Sequence, residues 1–316
     1  MDRATLSALK RRFDGGSVAV EEGPGGLAFL RVRSARCRAV VSLQGAQVLS
    51  FAPAGGREIL WLGPLARYEA GRAIRGGVPL CFPWFGAAPA GGGLPAHGYA
   101  RLAPWDLVEA AQLPGGEFLL RLVLPAAPAG AAPAGAAPGE PAPGAGTIPG
   151  LSAECAIRLG TELDIEFRAR NASDAAVSAT AALHGYLAVG DARRVSLEGL
   201  EGLCYADDTA GGAARVQEGP VSFPGEVDRR YVGHRGAAVL VDPVLRRRLV
   251  VEKRGSASTV VWNPGPERAR ALADLGAGNE LGMVCVETAR IGDDALLLAP
   301  GGEAAFGQTL REEALA

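Results

Sequence analysis

Only three histidines occur among the 316 residues of the chain, and two of them stand in contexts that suit proton transfer. His184 follows the apolar run 176–183 and precedes a glycine, a pattern that predicts a histidine at the end of a strand. Because the unperturbed pKa of imidazole lies near neutrality, a histidine so placed is a usable general acid. His97 opens the segment HGYAR, and we expect His97 and Arg101 to point into a common cleft. The alternative for His97 is a purely structural hydrogen bond.

Two carboxylates are candidate partners for these histidines. Glu287 follows an apolar run, where an acid is costly to bury unless it is paired or functional. Asp228 stands beside two arginines, so a solvated charge cluster is the alternative to a role in binding. His234, the third histidine, stands between a glycine and an arginine, and we expect it on the surface in a turn.

Residues 75–86, RGGVPLCFPWFG, combine an arginine, turn-forming residues and three aromatic side chains. A rigid aromatic stretch suits the apolar faces of a sugar ring, and the forked guanidinium of Arg75 suits an anionic or polyhydroxyl ligand. The alternative is that the aromatic side chains belong to the core and Arg75 is a surface charge.

Composition and missing motifs exclude several classes of function. With 32 basic against 34 acidic residues and a pI of about 6.0, no electrostatic footprint for nucleic acid or a membrane surface exists. The five cysteines are widely spaced, which argues against disulfides and a zinc site. Phosphate-loop, dinucleotide-binding and H-E-x-x-H motifs are missing, as are a signal-peptide pattern and a membrane-spanning run. We expect a monomeric cytoplasmic protein without metal or cofactor that acts on a small molecule.

Short β-forming runs separated by turn residues dominate the chain and predict an all-β sandwich in one domain over 1–316. Two short helices are predicted at 5–12 and 267–275. An Ala/Pro/Gly-rich stretch at about 125–150 predicts a surface loop between two strands, with a partner-binding proline segment as the alternative. The strands are predicted at 17–20, 28–32, 39–43, 47–51, 118–124, 163–168, 176–183, 237–241, 249–252, 259–263, 283–288 and 295–298.

Taken together, the motifs resemble those of the hexose-6-phosphate mutarotases, in the aldose 1-epimerase (galactose mutarotase-like) superfamily. The similarity runs in one order from about residue 28 to residue 308, and the combination is specific although each motif alone is weak. The motifs are RGG-x-P-x-C-F-P-W-F-G, HGYAR, L-H-x-Y-x-x-V-G-D, V-D-R-x-Y, V-V-W-N-P and V-C-V-E-T.

The resemblance implies a β-supersandwich with an open, cofactor-free active site. It implies that His184 donates a proton to the sugar ring oxygen and that Glu287 takes the proton of the anomeric hydroxyl. The resemblance also implies four residues that bind the sugar or its phosphate: Arg75, His97, Arg101 and Asp228. Among them, His97 is implied to be a hydrogen-bonding group and not the acid. A Glu/His pair can run this reaction near neutral pH.

The sequence departs from the family pattern at two positions near these motifs. Ala96 stands where a polar residue is common, which removes one hydrogen bond to the substrate. Gly265 stands where an aromatic residue is typical, which predicts a looser loop beside the site. The sugar preference therefore stays open, as do two other functions: a non-catalytic sugar-phosphate sensor on this fold, and a glycoside hydrolase that uses Asp228 and Glu287.

Overall fold

The structure, a computed structural model, describes residues 3–88, 94–126 and 148–315. The N-terminal part contains helix α1 (Arg3–Phe13) and strands β1 (Val18–Glu22), β2 (Ala28–Arg33), β3 (Cys37–Ser42), β4 (Gln47–Pro53), β5 (Leu80–Cys81), β6 (Asp106–Gln112) and β7 (Phe118–Leu124). The middle part contains β8 (Leu151–Leu159), β9 (Leu163–Asn171), β10 (Val177–Ala179), β11 (Ala181–Ala188), β12 (Ser196–Glu198), β13 (Cys204–Asp207), β14 (Ala213–Val216), β15 (Val221–Ser222) and β16 (Val227–Val232). The C-terminal part contains β17 (Ala238–Asp242), β18 (Arg247–Arg254), β19 (Ser258–Asn263), helix α2 (Gly265–Ala271), β20 (Met283–Arg290), β21 (Leu296–Leu298) and β22 (Glu303–Ala314).

Two large antiparallel sheets form the sandwich. One has seven strands in the order β14-β13-β16-β19-β20-β11-β5, and the other has nine in the order β15-β12-β17-β18-β22-β9-β8-β7-β6. Apolar side chains that alternate along the strands fill the space between the sheets. Phe82, which follows β5, meets Phe167 of β9 edge-on with ring centroids 5.0 Å apart. The predicted all-β sandwich is therefore confirmed.

Two smaller sheets complete the described residues. Strands β1 to β4 form a four-stranded meander, and β10 pairs with β21. A bridge between Val48 and Val78 joins the meander to the chain just before β5, with the Val78 amide donating to the Val48 carbonyl at 2.8 Å. This contact fixes the segment that carries Arg75 against the four-stranded meander.

The predicted strands all coincide with observed ones, but their ends and number differ. The predicted strand 176–183 is two strands, β10 and β11, and β11 continues five residues further than expected. His184 therefore lies inside a strand and not at its end, which corrects the prediction. Strands with weak alternation or few β-branched residues were missed altogether, among them β6, β8 and the long β22.

The two predicted helices can be compared with the structure, but most of the predicted Ala/Pro/Gly-rich loop cannot. Both helices exist, at Arg3–Phe13 and at Gly265–Ala271, so the second begins and ends earlier than predicted. Most of the predicted loop, residues 127–147, lies outside the described residues. The strands on either side of it, β7 and β8, are antiparallel neighbours, as a hairpin connection requires.

In the part of the chain that the structure describes, no helix is long and apolar enough to cross a membrane.

His234 is buried, and its predicted surface position is wrong. Its side chain turns inward, is 5% exposed and places Nδ1 2.8 Å from the Thr259 hydroxyl. The Lys253 ammonium donates to the same hydroxyl at 2.7 Å. Burial, with a smaller contribution from Lys253, lowers the pKa of His234 to about 4. The turn pattern located the backbone correctly but could not show that the ring packs on β19.

This buried imidazole predicts acid-sensitive stability. Between about pH 4 and pH 6.5 the unfolded chain binds a proton at His234 that the folded chain does not. The free energy of unfolding therefore falls as the pH falls through that window. His234→Gln should flatten this dependence by about 1–3 kcal/mol in urea unfolding measured at pH 7, 5 and 4. The same pH slope in the variant and the wild type would contradict the assignment.

Candidate active site

The register of the seven-stranded sheet brings the predicted catalytic pair together. Strands β11 and β20 run antiparallel, and His184 stands directly opposite Glu287. Directly opposed residues of neighbouring strands project from the same face with their Cβ atoms about 5 Å apart. The Nε2 atom of His184 lies 3.4 Å from Oε1 of Glu287. Two residues 103 positions apart are thus made neighbours by strand pairing alone.

Burial shapes the protonation of this pair. The side chains of His184 and Glu287 are 9% and 1% exposed. Loss of water raises the pKa of Glu287 well above its ordinary value, and the carboxylate of Asp228 raises it further. Loss of water also lowers the pKa of His184, helped by the positive charges of Arg101 and Arg75. Burial therefore favours the neutral form of each side chain, a carboxylic acid and an uncharged imidazole.

A second row of side chains runs across the same face, one pleat further along. Tyr186 of β11 stands opposite Cys285 of β20, and Cys285 stands opposite Trp262 of β19. Trp262 in turn stands opposite Asp228 of β16. Asp228 therefore enters the cleft from β16, three strands away from His184. Its alternative as part of a solvated surface cluster does not hold, since it lines the cleft with a side chain only 23% exposed.

The segment that carries Arg75 runs along the edge of β11. The backbone amide of Tyr186 donates to the Gly77 carbonyl at 2.9 Å. Gly77 has φ +65°, and a Cβ atom there would lie 2.2 Å from the Val48 carbonyl oxygen, so only glycine fits. This close approach holds Arg75 at the cleft, where it contacts Asp274 through two nitrogens at 3.2 and 3.1 Å. Arg75 is not a surface charge.

The three aromatic side chains in the segment 75–86 lie in two places, the sandwich core and the cleft. Phe82 and Trp84 are buried in the sandwich core, as the structural alternative expected. Phe85 lines the cleft and packs edge-on against His97 with ring centroids 4.8 Å apart. An apolar wall for a sugar ring therefore comes from Phe85 and Trp262, not from all three aromatic side chains.

His97 is held in a strained backbone conformation with a defined hydrogen-bonding pattern. Its φ of +63° is unusual for a residue other than glycine, and such strain gathers at functional sites. The Gly86 amide donates to Nδ1 of His97 at 3.3 Å. Burial, then Arg101 and Arg75, lowers the pKa of His97 to about 3. A neutral ring whose Nδ1 accepts must carry its proton on Nε2, so His97 is a hydrogen-bond donor.

Arg101 differs from the other arginines of the cleft in having no carboxylate partner within residues 3–88, 94–126 and 148–315. Its Nη2 donates to the Ala96 carbonyl at 2.8 Å, and its buried Nε has no partner in those residues. Arg75 is paired with Asp274, and Arg268 is paired with Glu226 at 2.7 Å. Arg101 is therefore the cleft arginine whose positive charge is least compensated. The expected common cleft of His97 and Arg101 is observed.

Asp228 has an environment that weakens its acidity. Burial raises its pKa to about 6, and the nearby carboxylate of Asp208 adds to the shift. Arg268 opposes it, with Nη1 3.7 Å from the Asp228 carboxylate. Such a group exchanges readily between accepting and donating hydrogen bonds, which suits contact with sugar hydroxyls.

Of the two departures from the family pattern, Gly265 has a different effect from the one predicted. Its amide donates to the Asn263 side chain at 2.9 Å, and it begins helix α2 with φ +62°. A Cβ atom would lie 2.5 Å from the Glu226 amide nitrogen, so the chain is closely packed there. The predicted looser loop is wrong. Ala96 lies on the cleft wall, and its carbonyl, not its side chain, makes the polar contact with Arg101.

The cleft has a volume of about 500 Å³, within the range of small-molecule sites. All six predicted site residues line it. Sequence reasoning did not assign Tyr186 or Asp274, which also line it. Tyr186 could have been found from its spacing, since residues two apart on a strand share a face. Asp274 follows helix α2, and nothing in its sequence context marks it.

In the described part of the chain, no group of three or more His, Cys, Asp or Glu side chains is arranged to hold a metal ion. The arrangement offers instead an acid–base pair, a neutral imidazole donor, a carboxyl group and an uncompensated guanidinium around one cavity. Those groups can bind a polyhydroxyl anion and move protons at it.

Comparison with known proteins agrees with this geometry. A sequence profile of the aldose 1-epimerase family matches residues 29–140 and 141–311. A protein of Escherichia coli K12 with the provisional name glucose-6-phosphate 1-epimerase is 34% identical over 253 residues, which are 80% of this chain and 79% of that protein. One of Cenchrus ciliaris with the same provisional name is 33% identical over 287 residues, 89% of this chain and 83% of that protein.

Solved structures show the same fold. The crystal structure of a provisionally named mutarotase from Salmonella typhimurium superposes with a TM-score of 0.84 at 28% identity, covering 94% of each chain. A provisionally named aldose 1-epimerase from Escherichia coli K12, at 15% identity and a TM-score of 0.68, shares the fold over 92% of this chain and all of its own. The chain therefore belongs to the aldose 1-epimerase family and is an isomerase of the mutarotase type.

Proposed function

We propose that the enzyme interconverts the α and β anomers of an aldohexose 6-phosphate, with glucose 6-phosphate as the reference substrate. The observation that carries this proposal is the buried pair of His184 and Glu287, 3.4 Å apart, at the wall of a cleft that also holds the uncompensated Arg101. The provisional names of the relatives in Escherichia coli and Cenchrus ciliaris support the choice of substrate.

The reaction requires two proton transfers at neighbouring oxygen atoms. Glu287 takes the proton from the hydroxyl on C1 while His184 gives a proton to the ring oxygen, and the bond between C1 and the ring oxygen breaks. Rotation about the C1–C2 bond presents the other face of the aldehyde. The C5 hydroxyl then attacks C1, the two residues reverse their roles, and the opposite anomer forms with no net change in atoms or protons.

The geometry of the pair fits this exchange. Both reacting oxygens are bonded to C1, so an acid and a base that serve them together must lie close to each other, as His184 and Glu287 do. Burial favours the neutral forms of both side chains, because it raises the pKa of the glutamate and lowers that of the histidine. The reacting form, with an ionised Glu287 and a protonated His184, holds the same number of protons and differs from the neutral pair by the transfer of one proton from Glu287 to His184. The pair is therefore suited to work in both directions.

His97 supports the reaction as a binding group. Its lowered pKa keeps the ring neutral at pH 7, and its Nε2–H can donate to a substrate oxygen. It lies beside His184 with ring centroids 5.9 Å apart. A second imidazolium here would repel the protonated form of His184, so a neutral His97 preserves the acid.

Arg101 is the proposed phosphate-binding residue. A dianionic phosphate is attracted to a guanidinium whose charge is not already neutralised. The charge of Arg75 is neutralised by its ion pair with Asp274. Asp228, across the sheet, would instead accept hydrogen bonds from the sugar hydroxyls. This division orients the sugar with its phosphate near Arg101 and its ring over the catalytic pair.

Glu287→Gln should slow anomer exchange by about 10²–10⁴-fold, since the amide cannot take the proton from the C1 hydroxyl. The measurement is magnetisation exchange between the α and β anomers of glucose 6-phosphate by NMR, with and without enzyme. Glu280→Gln is the matched control, because Glu280 is also buried but lies outside the cleft, and it should keep wild-type activity. A fully active Glu287→Gln enzyme would show that the base is another residue. Wild-type protein that accelerates exchange of no hexose or hexose phosphate would overturn the proposed function.

Arg101→Met should lower kcat/KM for glucose 6-phosphate by roughly 10- to 150-fold. This is the factor that corresponds to losing one charged hydrogen bond that contributes about 1.5–3 kcal/mol. The same variant should change kcat/KM for free glucose by less than about threefold, because free glucose carries no phosphate for Arg101 to bind. Arg158→Met, on the exposed face of β8, is the control and should leave both substrates unaffected. Equal losses on both sugars would assign Arg101 to the ring and not to the phosphate.

A further inference from the structure

The imidazole of His184 is stacked on the ring of Tyr186. The two rings are nearly parallel, with an interplanar angle of 8° and centroids 4.8 Å apart. Trp61 stacks on Tyr186 at 5.9 Å and 21°. Trp262 meets both Tyr186 and His184 edge-on, with centroids 6.2 Å away in each case. The catalytic imidazole is therefore part of an aromatic stack that comes from three separate segments of the chain.

Among the described residues, no hydrogen bond from another residue to Nδ1 orients this imidazole. Its Nε2 faces Glu287, its proposed partner in the reaction. Its Nδ1 is buried and bonds to no other residue within the described parts of the chain. A catalytic histidine is usually oriented by the hydrogen bond that its second ring nitrogen makes. The backbone of His184 itself is the one hydrogen-bonding group recorded for the ring in the described residues, so no other residue fixes Nδ1 and ring packing sets the plane of the imidazole.

Tyr186 is itself held firmly enough to serve as that support. Its side chain is 2% exposed, and its hydroxyl accepts a hydrogen bond from Nη1 of Arg75 at 3.0 Å. Arg75 is fixed by its two bonds to Asp274. The ring is thus anchored at one end by the strand backbone and at the other by an ion pair.

We propose that Tyr186 is the positioning residue of His184: its ring fixes the imidazole plane so that Nε2 points at the ring oxygen of the substrate. The inference rests on the proposed function, because it assigns His184 as the acid. Tyr186 exchanges no proton in this scheme, and burial raises the pKa of its phenol, which keeps it protonated. A freely rotating imidazole would spend most of its time misdirected, and misplacement by about 1 Å can cost a factor of 100 in rate.

Tyr186→Met tests the inference because methionine is apolar and adapts its packing to the space but has no flat ring. We expect kcat for anomer exchange to fall by about 10- to 100-fold with KM changed by less than about threefold. Tyr186→Phe keeps the ring and should retain kcat within about threefold. Tyr231→Met is the control, since Tyr231 is also fully buried but lies on the other face of β16 from Asp228. It should lose thermal stability without losing kcat.

NMR gives a second readout that does not depend on the methionine variant folding. The chain has only three histidines, so His184→Gln assigns the ring protons of His184 directly. Stacking on Tyr186 should shift them upfield of those of His234 in the wild type and in Tyr186→Phe. Ordinary shifts in the wild type would overturn the inference, as would a folded Tyr186→Met enzyme with wild-type kcat. An inactive wild type would overturn the proposed function and this inference with it, whereas an active wild type with a fully active methionine variant would overturn the inference alone.

Discussion

The pairing of β11 with β20 is the constraint on which the site depends. This pairing sets His184 opposite Glu287 and places both on the outer face of the seven-stranded sheet. A slip of one residue in the register would turn one of the two side chains into the sandwich core. The core behind these strands, filled by side chains such as Leu183 and Val286, therefore does more than stabilise the fold. It fixes the register and, through it, the distance between acid and base.

The protonation and charge of the cleft side chains follow from their burial and from which of them are paired. A buried carboxyl and a buried imidazole are each driven toward the neutral form, so the pair holds one proton on the carboxyl that could be passed to the imidazole. The surrounding arginines are mostly neutralised: Arg75 by Asp274 and Arg268 by Glu226. Arg101 is the exception among the cleft arginines that the structure describes, and we propose that this exception favours an anionic sugar over a neutral one.

Much of this architecture could be predicted from the sequence, for reasons that differ between residues. The alternating apolar runs located most strands because burial of one sheet face imposes a period of two. The motif similarity assigned six of the residues that line the cleft because it spans both halves of the site. The position of His184 inside β11, the burial of His234 and the tight packing at Gly265 could not be predicted, since each depends on contacts with distant segments. The same holds for Asp274, which meets Arg75 across 199 residues of sequence.

We propose that the acid–base pair acts on the two oxygens at C1 while Arg101 holds the phosphate. The most direct measurement is a crystal structure with 1,5-anhydroglucitol 6-phosphate, which keeps the ring oxygen and the phosphate but has no anomeric hydroxyl to react. We expect the ring oxygen within hydrogen-bond distance of His184 Nε2 and the phosphate on Arg101, as this proposal requires. A phosphate bound beside Asp228, with the ring oxygen away from His184, would contradict it.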